Sequence, residues 1–118
     1  MKIIISNAFS LSMLNRETQR NRAYDAVYDN PRIPRPIDSP AEWLAEWSQA
    51  GAEIESVVGH ADTAAVFSAV LVRPVAVNRV SVQLDHDVLL LIGQYIGPRL
   101  PEGATTLPEG ARIEWWVV

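Results

Sequence analysis

The sequence predicts an α/β fold, a mixed five-stranded sheet flanked by helices, in a single domain covering residues 1–118. Three observations carry this expectation. Apolar runs of strand length alternate with segments of helical period. The helical segments start on capping residues and stop at glycine. Hydrophobic residues make up 48% of the chain, enough for a core and too many for a disordered polypeptide.

Residues 2–6 form the first expected strand, after which Asn7-Ala8-Phe9-Ser10 turns into a short helical stretch through Leu11, Met13 and Leu14. Residues 15–38 change character. Arg16, Arg20, Arg22, Arg32 and Arg35 lie among Tyr24, Tyr28, Pro31, Pro34 and Pro36. The Pro-Arg-Ile-Pro-Arg-Pro stretch fits neither an inner strand nor a helix, so it reads as a loop or extended flap. Ser39-Pro40-Ala41-Glu42 then opens a helix, with Ser39 as cap, Pro40 at the first helical position and Glu42 completing a capping box. Trp43, Leu44 and Trp47 share one face, and Gly51 ends the helix.

Residues 53–58 are the second expected strand. Asp62 is a cap for a helix running to Leu71, with Val66, Phe67 and Val70 facing inward. Arg79-Val80-Ser81-Val82-Gln83-Leu84 alternates as a half-buried strand does, and Asp85-His86-Asp87 reads as a hairpin turn. Val88 to Tyr95 is a continuous apolar run, hence a central strand. Residues 97–110 carry three prolines and three glycines and form a loop. The last strand runs from Arg112 to Val118, with Trp115 and Trp116 on opposite faces.

Composition narrows the function. The net charge of −4 argues against a coat for duplex DNA or RNA. Nine of the ten cations are arginines, with Lys2 the sole lysine, and guanidinium forks suit phosphate better than ammonium groups do. The chain has no cysteine, which removes disulfides, thiolate zinc sites and a thiol nucleophile. Ser6-Asn7 interrupts the N-terminal apolar run too early for an export signal, and no run approaches the ~20 residues of a membrane span. The expectation is a cytoplasmic protein without membrane contact.

Val57-Val58-Gly59-His60-Ala61-Asp62 is the most informative segment. An apolar strand ends in Gly-His and a helix begins at once, so one imidazole sits beside backbone N–H groups that lack intrahelical partners. Such ends bind anions, and an imidazole there can exchange a proton near neutral pH. With Ser6–Ser10 and the Gly97–Gly103 loop, this suggests a site for a phosphodiester. Arg79 either serves that site or pairs with Asp85 or Glu114, and Asn7 either contacts a ligand or closes the turn after the first strand. Three adjacent residues cannot readily wrap one ion, so Asp85-His86-Asp87 predicts no metal site, and no cofactor is expected.

Four segments carry a resemblance to a known family. Ile5-Ser6-Asn7-Ala8-Phe9-Ser10-Leu11-Ser12-Met13-Leu14 resembles the N-terminal signature of the viral ring nucleases. These are type III anti-CRISPR proteins of archaeal viruses, with bacterial and phage relatives. Val58-Gly59-His60-Ala61-Asp62-Thr63 resembles the family's Gly-His-Asp-Ser-Thr segment, Asn78-Arg79-Val80 its Asn-Arg-Val, and Arg99-Leu100-Pro101-Glu102-Gly103 its Arg-Leu-Glu-Glu-Gly. The segments occur in family order with nearly family spacing.

The resemblance implies a metal-independent phosphodiesterase that opens cyclic tetra-adenylate, the second messenger of type III CRISPR defence. It implies a homodimer with the ligand on the two-fold axis. His60 falls on the family's general acid, Arg79 and Arg99 on its phosphate-contacting arginines, and Glu102 on an acidic residue lining the site. Asn7 and Ser10 fall on ligand-contacting positions of the first loop. Where the family often has Gln four residues before the second arginine, this chain has Tyr95 with Gln94 adjacent, and both join the expected ligand contacts. Gly97-Pro98 replaces Ser-Gln, and residues 15–52, the flap and the Trp-rich helix, have no counterpart in the family segment. The rival expectations are a cyclic-nucleotide sponge without catalysis and a regulatory interaction protein sharing only the fold.

Overall fold

A computed structural model describes residues 1–8, 34–82, 84 and 87–118. It contains β1 (Lys2–Ser6), β2 (Arg35–Ile37), α1 (Pro40–Gln49), β3 (Glu53–Ser56), α2 (Ala61–Leu71), β4 (Val88–Ile96) and β5 (Arg112–Val117). The strands form one five-stranded sheet in the order β2-β5-β4-β1-β3. β1 pairs in parallel with both β3 and β4, while β5 is antiparallel to β4 and to β2. The sheet is therefore mixed, as expected, with the apolar Val88–Ile96 run at its centre.

The membership of the sheet differs from the expectation at two places. Among the described residues, 79–82 are irregular, so the third expected strand, 79–84, is not part of the sheet there, although Val82 and Leu84 are both buried. Their side chains cover one face of the sheet, Leu84 through a single β-bridge, so burial on that face accounts for the alternation. The missing strand is replaced by β2, from the segment read as a flap. Pro36 lacks an N–H, and β2 accordingly lies at the sheet's edge. The short helix at 11–14, most of the flap and residues 85 and 86 of the expected turn fall outside the described residues.

Both helices among the described residues pack on one face of the sheet. Leu44 from α1 and Ala64, Phe67 and Leu71 from α2 join Ile3, Ile5, Leu91 and Trp115 in one buried cluster, flanked by half-buried Trp43 and Trp47. The opposite face carries Ile4, Leu90, Ile92 and Val118, covered by Val82 and Leu84 and flanked by Trp116. The two tryptophans thus face opposite ways, as strand alternation requires. Ser39 does occupy the N-cap of α1 with Pro40 after it, but its side chain makes no capping hydrogen bond. No helix among the described residues is long and apolar enough to cross a membrane.

Gly93 decides how α2 sits. Phe67 and Trp115 meet directly above it, ring centroids 4.8 Å apart. A Cβ on Gly93 would lie 2.6 Å from Phe67 Cζ and 2.7 Å from Trp115 Cζ3. Residue 93 therefore has room for hydrogen alone. At the far end of α2, Val72 caps the helix in the left-handed region at φ 54°, an unfavourable conformation for a β-branched residue. On the sheet's other margin, Lys2 Nζ lies 3.1 Å from Glu55 Oε1. That hydrogen bond raises the Lys2 pKa above its ordinary value, so its contribution holds across neutral pH and is lost as pH rises through the raised pKa.

Two stability outcomes follow. Gly93→Ala should lower the unfolding free energy by about 1–3 kcal/mol, the cost of overpacking a filled core, read as a lower urea midpoint. Val72→Gly should raise it by about 0.5–1 kcal/mol, because Val72 is 82% exposed and loses no packing while the left-handed strain is removed.

Candidate functional site

The carboxyl ends of β1, β3 and β4 lie along one edge of the sheet, which is where open α/β sheets bind ligands. Asn7 follows β1, His60 follows β3, and Gln94 and Tyr95 end β4. Arg99 and Glu102 lie in the loop between β4 and β5. Ser10 lies outside the described residues.

His60 is the N-cap of α2, in extended conformation at φ −129° and ψ 135°, and it is exposed. Its carbonyl accepts the first helical bond from Ala64 N–H at 2.9 Å, and its side chain makes no capping hydrogen bond. The cap position expected for Asp62 thus belongs to His60, two residues earlier. The leading N–H groups of α2 point toward the imidazole's end of the helix, with the positive end of its dipole.

Arg79 reaches the same place from a distant part of the chain. Ser68 Oγ accepts a bond from Val75 N–H at 2.9 Å, turning the chain back after α2. Ser56 Oγ donates to the Ala76 carbonyl at 2.6 Å, Val77 bridges Val58, and Asn78 N–H donates to the Val58 carbonyl at 2.9 Å. These bonds lay residues 76–79 alongside the exit from β3. Arg79 Nε then donates to the Gly59 carbonyl at 3.3 Å, one residue before His60. Among the described residues the ion pairs are Lys2–Glu55 and Arg112–Glu114, so neither Arg79 nor Arg99 is held by a carboxylate there.

The 97–111 loop is tied to the same helix end. Gly103 N–H donates to Asp62 Oδ1 at 3.1 Å, across 41 residues of chain. This bond holds the residue next to Glu102 against the first turn of α2. The base of the loop is closed at Gly97, whose φ is 150° and where a Cβ would approach Ala111 Cβ to 2.8 Å. The Tyr95 hydroxyl donates to the Pro98 carbonyl and so braces the backbone before Arg99. The residue expected as a ligand contact thus already has a partner within its own loop.

Asn7 and Gln94 come together elsewhere, on the face of the sheet opposite the helices. With Ala8, Pro34, Ile92 and Trp116 they line a groove of about 600 Å³. Among the described residues it is Ser6 that closes the turn after β1, its Oγ donating to the Ala8 carbonyl at 2.7 Å and accepting from Ala8 N–H at 3.1 Å. Sequence reading missed two contributors, Asp62 as the link between loop and helix and Trp116 as a wall of the groove. The signal for Trp116 was present: consecutive tryptophans on a strand must place one indole on each face.

The arrangement combines an imidazole, a helix N-terminus and a neighbouring guanidinium, chemistry suited to holding an anion and passing it a proton. The link through Asp62 is directly testable. Asp62→Ala should accelerate hydrogen exchange at residues 100–106, whereas Asp62→Asn, which keeps an acceptor oxygen, should leave it near the wild-type rate. Equal exchange in all three proteins would show that the bond does not restrain the loop.

Residues 32–113 match the model of the STIV B116-like family. Among solved structures, B116 of Sulfolobus turreted icosahedral virus (STIV) superposes with a TM-score of 0.69 at 22% identity, covering 99% of this chain and 97% of that one. At that identity the likeness is one of fold. No curated protein matches the chain. The family match spans well over half of the sequence and includes His60, Arg79, Arg99 and Glu102, and the chain therefore belongs to the STIV B116-like family, named for a viral protein whose fold it shares.

Proposed function

We propose that this protein is a metal-independent ring nuclease that opens cyclic tetra-adenylate into linear di-adenylate with 2′,3′-cyclic phosphate ends, thereby removing the second messenger of type III CRISPR defence. The observation that carries the reading is the convergence of three distant segments on the N-terminus of α2. His60 caps the helix, Arg79 bonds to the preceding residue's carbonyl, and the Arg99–Gly103 loop is tied to Asp62. These are the segments whose motifs resemble the ring nucleases.

The chemistry draws on the substrate's own hydroxyl, solvent, the α2 N–H groups and these side chains. A ribose 2′-oxygen attacks the adjacent phosphorus and loses its proton to solvent. The bond from phosphorus to the 5′-oxygen breaks, and His60, in its protonated form, gives that oxygen its proton. Aligning the two oxygens supplies much of the acceleration. Arg79, Arg99 and the α2 N–H groups offer donors for the charge that develops on the non-bridging oxygens. Proton donation by His60 contributes roughly 10²–10⁴-fold. A homodimer presenting two copies of this set about a two-fold axis matches a ring with rotational symmetry.

One observation favours a sponge that binds the ring without cutting it: the Tyr95 hydroxyl, at a position where the family often has glutamine, is engaged by Pro98. Single-turnover incubation with labelled cyclic tetra-adenylate separates the two readings, since tight binding with an intact ring belongs to the sponge. For the nuclease, His60→Ala should lower the cleavage rate about 100-fold or more with binding largely kept. Arg99→Ala should weaken both, and added chelator should change neither. A strict requirement for divalent ions would refute the metal-free scheme.

A further inference from the structure

We infer that Asp62 is a positioning residue: its carboxylate fixes the part of the β4–β5 loop that carries Arg99 and Glu102 against the His60 end of α2. The inference deepens the nuclease reading and rests on it for the reaction concerned. The loop contains a duplication, Leu100-Pro101-Glu102-Gly103-Ala104 and, after Thr105-Thr106, Leu107-Pro108-Glu109-Gly110-Ala111. Both copies fold into the same turn. Ala104 N–H donates to the Pro101 carbonyl and Ala111 N–H to the Pro108 carbonyl, each at 3.1 Å. Gly103 and Gly110 take φ 78° and 80°. These are type II turns, whose third residue needs a positive φ and so selects glycine.

The two copies differ in what holds them. The closing bond of such a turn uses the N–H of the fourth residue, so the N–H of the third lies outside it. At Gly103 that N–H reaches Asp62 Oδ1 at 3.1 Å. Asp62 stands in the first turn of α2, two residues after His60. The second copy sits instead at the base of the loop, where Ala111 lies beside Gly97 and leads into β5.

The backbone from Gly97 to Gly103 is thus pinned near both ends, by the Tyr95 hydroxyl on the Pro98 carbonyl and by Asp62 on Gly103. Arg99 and Glu102 lie between the pins, and Pro101 stiffens the span through its fixed φ. An ionised acceptor makes the Asp62 pin stronger than a neutral hydrogen bond. Cleavage by the substrate's own hydroxyl depends on alignment, and displacing a group by about 1 Å costs up to roughly 100-fold. A loop freed from Asp62 still carries Arg99 to the ring, so losing the pin acts on the rate at saturation more than on affinity.

The test pairs amide exchange with single-turnover cleavage of labelled cyclic tetra-adenylate at saturating protein. Both glycine amides follow glutamate and precede alanine, so their intrinsic exchange rates are equal and Gly110 serves as an internal reference. Asp62→Ala should speed exchange at Gly103 about tenfold and leave Gly110 unchanged. It should also lower the saturated cleavage rate roughly tenfold to a hundredfold, with a smaller effect on affinity. Asp62→Asn removes the charge but keeps an acceptor oxygen, so it should restore most of both readouts. Glu109→Ala, at the same corner of the second copy, should leave both at wild-type values.

If Asp62→Ala frees Gly103 yet cuts the ring at the wild-type rate, the positioning role is overturned while the nuclease reading stands. If Asp62→Asn cuts as slowly as Asp62→Ala, the carboxylate acts through its charge and not through the bond, which also overturns it. If wild type binds the ring and leaves it intact, the nuclease reading falls, while a Gly103 amide freed only by Asp62→Ala still supports Asp62 as the group that fixes the loop. A Gly103 amide indifferent to Asp62→Ala overturns the inference in either case.

Discussion

The space above Gly93 is the constraint on which the rest of the molecule depends. Phe67 from α2 and Trp115 from β5 occupy the volume a side chain at residue 93 would fill. Because both rings are buried and rigid, the helix has one comfortable seat on the sheet. That seat fixes where α2 begins, and His60 is its N-cap. A packing detail in the centre of the sheet thus sets the position of the imidazole at its edge. The same contact joins β4 to β5 and α2, so the loop between the two strands starts from a fixed base.

Around that edge the structure relies on single hydrogen bonds between distant segments. Ser56 and Ser68 guide the return of the chain after α2, Arg79 donates to the Gly59 carbonyl, and Asp62 accepts from Gly103. Each bond alone contributes about 0.5–1.5 kcal/mol, so these connections position groups more than they stabilise the fold. This separates duties. The apolar clusters on the two faces hold the sheet, and the polar links bring three loops to one helix end. In the proposed ring nuclease, that arrangement sets cations and the imidazole at the edge of the sheet.

Much of this was legible in the sequence, and the failures have a common cause. The Val88–Tyr95 run announced a central strand because a strand covered on both faces is largely apolar, and β4 is buried from Leu90 to Gly93. The Gly-His junction was readable because strand exit and helix entry are local events. The 79–84 run misled because Val82 and Leu84 alternate to cover a sheet face, a pattern indistinguishable from a ladder strand in sequence alone. β2 was passed over because prolines exclude inner strands, yet an edge strand needs hydrogen bonds on one side only. Asp62 was read as a cap because Asp near a helix start usually is one, and its actual partner lies 41 residues away.

What the sequence determined by itself was therefore local: the apolar runs that become strands, the helix that starts after His60, and the presence of one indole on each side of β5. Periodicity and capping act within a few residues, and the chain writes them directly. The tertiary structure alone decided which loops share a site and which face the helices cover. Those outcomes depend on strand order and on the fit of Phe67, Trp115 and Gly93, contacts between residues far apart in the chain whose pairing no short-range pattern encodes.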